Sequence, residues 1–258
     1  MITAGVDCGA KNVKVVVLED GEVRGKALVL AGMDTGAAAA EALRRALQAA
    51  RIGRDRVARI VATGAGREES RLSDAAVTEV GADARAMAHL APAVRTVIDV
   101  GAEEGRAIRV DGAGRVVDFA INEKCAAGAG AFTEAMARAL EVPIEELGEL
   151  SMKSTQAIPM NAQCAVFAES EVVGLVHKKT PKPDMARAIH DAIADRITSM
   201  ARRVGIEERI ALVGGVARNV GFVRSLREDL QTDLVLFPDP EFVGAIGAAL
   251  VAADTAAG

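Results

Sequence analysis

Val6-Asp7-Cys8-Gly9-Ala10 and, 92 positions later, Ile98-Asp99-Val100-Gly101-Ala102 are two copies of one pattern. In the first copy an apolar run at 13–18 follows, then Asp20-Gly21 and further apolar sequence. In the second, the run 107–110 is followed by Asp111-Gly112 and the run 116–121. Asp-Gly between apolar runs is a strong hairpin signal, because glycine adopts the left-handed backbone that a tight turn needs. Each copy predicts strand, Asp-x-Gly turn, strand, hairpin turn, strand. A helical stretch follows each, at about 35–50 and 130–140. The duplication predicts an α/β protein of two similar lobes facing each other across a cleft.

The pattern pairs Asp7 with Asp99 and Cys8 with Val100. A thiol whose counterpart is apolar reads as core. Tight glycine turns leave backbone N–H groups for phosphate oxygens, and an aspartate at a strand end can hold Mg²⁺ directly or through water. Two matched copies of this chemistry suggest a nucleotide. Downstream, 210–213 reads as a buried strand. Gly214-Gly215-Val216-Ala217-Arg218-Asn219 then turns into a helix running to about Leu230. Such a junction lets a nucleotide approach the backbone, though a plain strand-to-helix turn has the same signature. There is no GxxxxGK[ST] loop. Thr63-Gly64-Ala65-Gly66 closes another strand, at 57–62, and reads equally as a nucleotide-bordering loop or a bare turn.

Composition narrows the classes. At 258 residues, half of them hydrophobic, the chain can bury a large core. A net charge of −5, no basic stripe and no Trp or Tyr argue against nucleic-acid binding. The apolar run 246–253 is too short for a membrane span, so no membrane association and a cytoplasmic location are expected. Helix signals also fall at 81–91, 163–178 and 181–204. Pro181 and Pro183 break the chain before a long helix at 185–203, and His177 and His190 read as surface or packing residues.

Three cysteines are present, and two stand beside predicted helix starts, in Asn122-Glu123-Lys124-Cys125-Ala126-Ala127-Gly128 and Met160-Asn161-Ala162-Gln163-Cys164. Without a CxxC or a nearby histidine, zinc is disfavoured, and sparse cysteine disfavours a disulfide. A small buried hydrophobe remains an available reading for each. Gly128 and a helix N-terminus favour a ligand thiolate instead. Two thiols are half the set for a [4Fe–4S] cluster, so a second chain would have to supply the rest.

The two Asp-x-Gly hairpins, the Gly214-Gly215 turn and the C-terminal Gly-Ala helix together resemble the acetate and sugar kinase/Hsp70/actin ATPase fold. Within it, the Cys125 segment with Cys164-Ala165-Val166-Phe167-Ala168-Glu169-Ser170-Glu171 resembles the BadF/BadG/BcrA/BcrD family over nearly the whole chain. That family comprises ATP-hydrolysing electron-activating subunits of benzoyl-CoA reductase and activators of 2-hydroxyacyl-CoA dehydratases. The resemblance implies that Cys125 and Cys164 ligate one [4Fe–4S] cluster shared with a homologous subunit. Asp7, Gly9 and Lys14 would lie at the first phosphate loop, Asp99 and Gly101 at the second, and Gly214, Gly215 and Asn219 at the adenosine, with MgATP in the cleft. Lobes at 1–93, with 240–258 packing back on it, and 94–239 are expected. A ferredoxin donor and catalytic acyl-CoA-reducing subunits are the implied partners.

Ala102-Glu103-Glu104-Gly105-Arg106 stands where the activators usually carry a Gly-Gln-Asp-Ser-Lys-like run, which looks more like the benzoyl-CoA reductase side. Asp99 and Glu103 are the candidates for orienting the attacking water. Ala10 replaces a usual Ser or Thr. The favoured reading is thus a benzoyl-CoA reductase-type ATPase subunit. A homodimeric dehydratase activator comes next, and a small-molecule (sugar) kinase of the same fold after it.

Overall fold

The computed structural model describes residues 1–122, 130–160 and 165–256. The chain forms two compact units: 1–97 with 110–117 and 241–258, and 98–109 with 118–240.

The first unit is built on a five-stranded sheet ordered β3-β2-β1-β4-β5: β1 Ile2–Cys8, β2 Asn12–Glu19, β3 Glu22–Leu30, β4 Arg59–Thr63 and β5 Ala75–Ala76. β1, β2 and β3 pair antiparallel; β4 joins β1 in parallel, after a crossover through helix α1 (Thr35–Ala50). Asp34 caps α1, its side chain accepting from the Ala37 N–H. β1 is buried nearly throughout, which its Ile-Thr-Ala-Gly-Val-Asp-Cys sequence permits because no side chain there is large and charged. Helix α8 (Val243–Ala256) lies directly on β1, while α2 (Glu79–Leu90) packs with α8. The approach is so close that a Cβ on Gly5 would collide with the Ala245 carbonyl oxygen. A Gly/Ala helix fits there; a larger one would not.

The second sheet repeats the arrangement in the order β10-β9-β6-β7-β8: β6 Thr96–Val100, β7 Gly105–Val110, β8 Val116–Asn122, β9 Ile210–Val213 and β10 Leu234–Val235. Read from its other end, β8-β7-β6-β9-β10 matches β3-β2-β1-β4-β5 strand for strand. The helices of this unit are α3 Gly130–Ala139, α4 Ile144–Ser151, α5 Ala165–His177, α6 Lys182–Val204 and α7 Val220–Leu230. Their core is apolar and fully buried, with Phe132, Met136, Leu147, Ile189, Phe222 and Leu226 at its centre.

The first hairpin turns on Asp20 (φ 53°) and Gly21 (φ 86°), a two-residue loop as the Asp-Gly signal predicts. Two other local expectations change. In the second hairpin the left-handed residue is Gly114 (φ 75°), not Gly112. Asp111 accepts there from the Ala113 and Arg115 N–H groups, both at 2.9 Å, so its side chain organises a longer turn. The chain does break before α6, between His177 and Lys182, but the helix starts at Lys182 rather than at 185, so Pro183 lies inside it. Pro181 occupies the cap position and Pro183 the first turn, where a missing N–H leaves no helical bond unmade. Helix α4 adds to the helices expected from the sequence. No helix among the described residues is long and apolar enough to cross a membrane.

Candidate functional site

The site residues of the first unit converge at the ends of β1 and β4. Asp7 stands opposite Lys14 across the β1–β2 pair, and the Lys14 ammonium donates to its Oδ2 at 2.8 Å. Both side chains are mostly buried. Gly9 begins the β1–β2 turn beside them: a Cβ there would lie 2.7 Å from the Lys14 ammonium. β4 ends at Thr63, and Gly64 follows with φ 93°. A Cβ on Gly64 would fall 2.7 Å from Asp7 Oδ1 and 2.6 Å from the Cys8 carbonyl. Only glycine lets this turn close over the carboxylate. Asp83, buried on α2, approaches the same space. A Cβ on Gly244, in the first turn of α8, would be 3.7 Å from both Asp7 Oδ2 and Asp83 Oδ1.

The second unit repeats this construction. Asp99 lies near the end of β6, and Arg106, seven residues on as Lys14 is from Asp7, donates from Nη1 to Asp99 Oδ2 at 2.5 Å. Its Nη2 donates to Glu104 at 2.5 Å. β9 ends at Val213, and Gly214 follows with φ 86°. A Cβ on Gly214 would collide with Asp99 Oδ1 and the Val100 carbonyl. Gly64 and Gly214 are therefore counterparts, as are Lys14 and Arg106. The glycine loop at 63–66 and the Gly214-Gly215 turn are two instances of one feature, each pressed against the aspartate of its own sheet. The equal Asp-to-cation spacing is present in the sequence and is the signal that would have found Arg106. The Gly64–Gly214 match has no such signal, since the chain reaches the two positions through unrelated intervening segments.

The remaining sequence-derived candidates fall into place around the second aspartate. Gly101 opens the β6–β7 turn, its N–H donating to the Glu104 carbonyl at 2.9 Å. Glu103 is exposed at that turn. A Cβ on Gly215 would have open space around it. Asn219 caps α7, its side chain accepting from the Gly221 and Phe222 N–H groups at 3.0 and 3.1 Å. Its amide is thus engaged in setting the start of the helix that follows the glycine turn.

One further connection leaves the β6–β7 turn. The first N–H groups of α3, on Gly130 and Ala131, donate to the carbonyls of Gly101 and Ala102 at 2.9 and 2.7 Å. A Cβ on Gly130 would also touch Val216 at 3.2 Å. α3 is thereby seated on both glycine turns of its unit, and it packs with α5.

Cys125 and Cys164 lie outside the described residues, and among those that are described no cluster of three or more His, Cys, Asp or Glu is placed to hold a metal. Cys8 is fully buried, like its counterpart Val100. Burial and the neighbouring Asp7 push its thiol up to about 11.

Glycine turns of this kind are chemically compatible with a polyphosphate. They present backbone rather than side chain beside a carboxylate and a cation, and Mg²⁺ on a nucleotide needs few protein ligands because it keeps several waters.

The family model of the BadF/BadG/BcrA/BcrD ATPase family matches residues 4–252. The activator of lactoyl-CoA dehydratase from Anaerotignum propionicum is 36% identical over 258 residues, 99% of each chain. Component A of the (R)-2-hydroxyglutaryl-CoA dehydratase of Acidaminococcus fermentans, a solved structure, is 37% identical with a TM-score of 0.96 over the whole of both chains. The activator of the 2-hydroxyisocaproyl-CoA dehydratase from Clostridium difficile, solved with bound ADPNP, is 34% identical with a TM-score of 0.94, covering 100% of this chain and 96% of that one. One of the subunits of benzoyl-CoA reductase from Thauera aromatica is 32% identical over 260 residues, covering 96% of this chain and 92% of its own. A ROK hexokinase from Thermus thermophilus, 19% identical with a TM-score of 0.52 over 100% of each chain, shares the fold alone.

Proposed function

The chain belongs to the BadF/BadG/BcrA/BcrD ATPase family, and from that premise we propose that it is the ATP-hydrolysing activator of a 2-hydroxyacyl-CoA dehydratase, delivering electrons to a separate acyl-CoA-handling component. The run 102–106 favours the benzoyl-CoA reductase side. The comparisons weigh the other way: the activators are similar at 34–37% identity and the reductase polypeptide at 32%.

The observation that carries the proposal is the pair of hydrogen bonds from α3 to Gly101 and Ala102. They join a phosphate-loop candidate to the helix into which the Cys125 segment leads. The first N–H groups of any helix need acceptors outside it, and here the candidate loop supplies them, so a movement of that loop would be felt at α3. Asp7 and Asp99 are the carboxylates that would face the magnesium, and Lys14 is a phosphate cation. Gly9, Gly101, Gly214 and Gly215 admit the phosphates and ribose to backbone, while Asn219 holds the start of α7. Asp99 or Glu103 would orient the attacking water. When held by Cys125, Cys164 and the same two thiols of a second chain, a [4Fe–4S] cluster supplies a one-electron store. A change in the 101–102 turn on nucleotide binding is passed to α3 through its two N–H donors, and from α3 to α5 by packing. A ferredoxin-class donor would supply the electron.

Anaerobic purification with an iron assay, ATP-binding measurement and partner recovery tests this. With no Trp or Tyr on the chain, absorbance near 400 nm stands out. About four iron atoms per two chains are expected from one shared [4Fe–4S] cluster. Cys125→Ser should remove the iron and leave ATP binding. Iron retained with ATP binding lost would overturn the assignment. Recovery as a free homodimer supports the activator, whereas stable association with larger catalytic subunits would return the reading to the reductase. A colourless, iron-free chain that phosphorylates a hydroxyl substrate would make it a kinase.

A further inference from the structure

The second cradle differs from the first in one respect that bears on how nucleotide is gripped. In the first unit Lys14 pairs with Asp7 among the described residues. In the second, the single guanidinium of Arg106 is bracketed by two carboxylates, Asp99 and Glu104, both at 2.5 Å. The Arg106 side chain is 9% exposed and that of Asp99 13%, so these charges meet in a poorly solvated place where each is felt strongly. The Gly214 turn lies against the other oxygen of the same aspartate, so closely that a Cβ there would collide with it.

We propose that Arg106 is a phosphate-binding cation of the ATP site, the counterpart of Lys14, held by Asp99 and Glu104 until the nucleotide arrives. This rests on the reading of the chain as an ATPase. A divalent cation that comes in with ATP is drawn to Asp99 and competes with Arg106 for its oxygens. The guanidinium and the metal repel each other, and the fork of Arg106 suits a phosphate as well as it suits a carboxylate. Glu104 then acts as a restraint: it keeps Arg106 turned to the protein in the nucleotide-free state and opposes its transfer to phosphate. Arg106 is thus a binding residue and Glu104 a positioning residue acting through it.

The two roles predict opposite signs. Equilibrium displacement of a fluorescent ATP analogue by MgATP and by AMP gives the ATP:AMP affinity ratio for the whole chain. Arg106→Gln should lower that ratio by about tenfold or more, the loss falling on ATP, because a charge-assisted contact to phosphate is gone. Glu104→Gln should raise the ratio, by about two- to threefold, because the guanidinium is less firmly held. A merely structural salt-bridge network would weaken both nucleotides together in either variant. An unchanged ratio in Arg106→Gln, or a fall in Glu104→Gln, overturns the proposal. Should Arg106→Gln fail to fold, the sign of the Glu104→Gln effect decides alone. A wild-type chain that binds neither nucleotide overturns the ATPase reading itself, and this inference with it.

Discussion

Single residues show how far local environment sets chemistry in this chain. Cys8 carries a thiol beside a carboxylate and has no access to water, so it resists forming the thiolate that reacts. In a chain carrying Cys125→Ser and Cys164→Ser, a thiol titration at about pH 8 should find none in the native protein and one after denaturation. His190, fully buried on α6, is held neutral, burial pushing it down from 6.5 to about 4. Between those values the unfolded chain binds the proton and the folded chain does not, so the folded state loses stability as pH falls from about 6.5 towards 4. The loss should approach about 3 kcal/mol once pH is below both values. Urea unfolding across that range checks it, and His190→Leu should flatten the slope.

At the scale of elements, matching parts are built from unmatched sequence. α6 begins with two prolines and no side-chain cap. Asp184 in its first turn looks outward instead, accepting the Thr155 N–H at 2.8 Å and the Gln156 N–H at 3.1 Å. Those bonds fix the stretch that leads towards Cys164, and the buried carboxylate serves them at a helix N-terminus, where negative charge is favoured. Asp184→Ala should cost about 2–3 kcal/mol by chemical denaturation, since two N–H groups lose a charged acceptor. Asp184→Asn keeps one acceptor oxygen and should cost less. The two hairpins make a similar contrast. Asp20-Gly21 closes on itself, whereas Asp111 closes its turn through its side chain and hands the left-handed position to Gly114. A substitution at Gly112 should accordingly be tolerated better than one at Gly114, where a Cβ would collide with that of Ala88. Thermal unfolding of the two alanine variants checks the order.

Across the whole molecule, the proposal makes stability depend on nucleotide. A ligand at about 100 times its dissociation constant adds about 2.7 kcal/mol to the native state. For a chain of this size that corresponds to a rise in Tm of about 5–10 °C. A non-hydrolysable MgATP analogue should give such a shift in a thermal scan, and Asp7→Ala should remove most of it.

The hairpin duplication was legible because it is local: alternating apolar runs and Asp-Gly turns act over a few residues, and Asp7, Asp99 and their glycines fall within those windows. By the same logic helices α1, α3 and α6 were legible, and the small-residue character of α8 marked a closely packed helix. The amino-acid sequence by itself thus determined two like α/β units, an aspartate near the end of the first strand of each, and a thiol at position 8 that belongs to the core. Only the tertiary structure decided what surrounds each aspartate. Gly64 reaches Asp7 and Gly214 reaches Asp99 because β4 and β9 settle beside β1 and β6, a choice made by sheet packing over long sequence separations. Arg106 is the exception, since it follows Glu104 by two residues and Asp99 by seven, so its place between two carboxylates is set locally by the β6–β7 hairpin. Asp83 approaches Asp7 because α2 packs on α8, which itself lies on β1 and β4. Charges so placed interact through space, and the distances that set their strength are fixed by packing rather than by order along the chain.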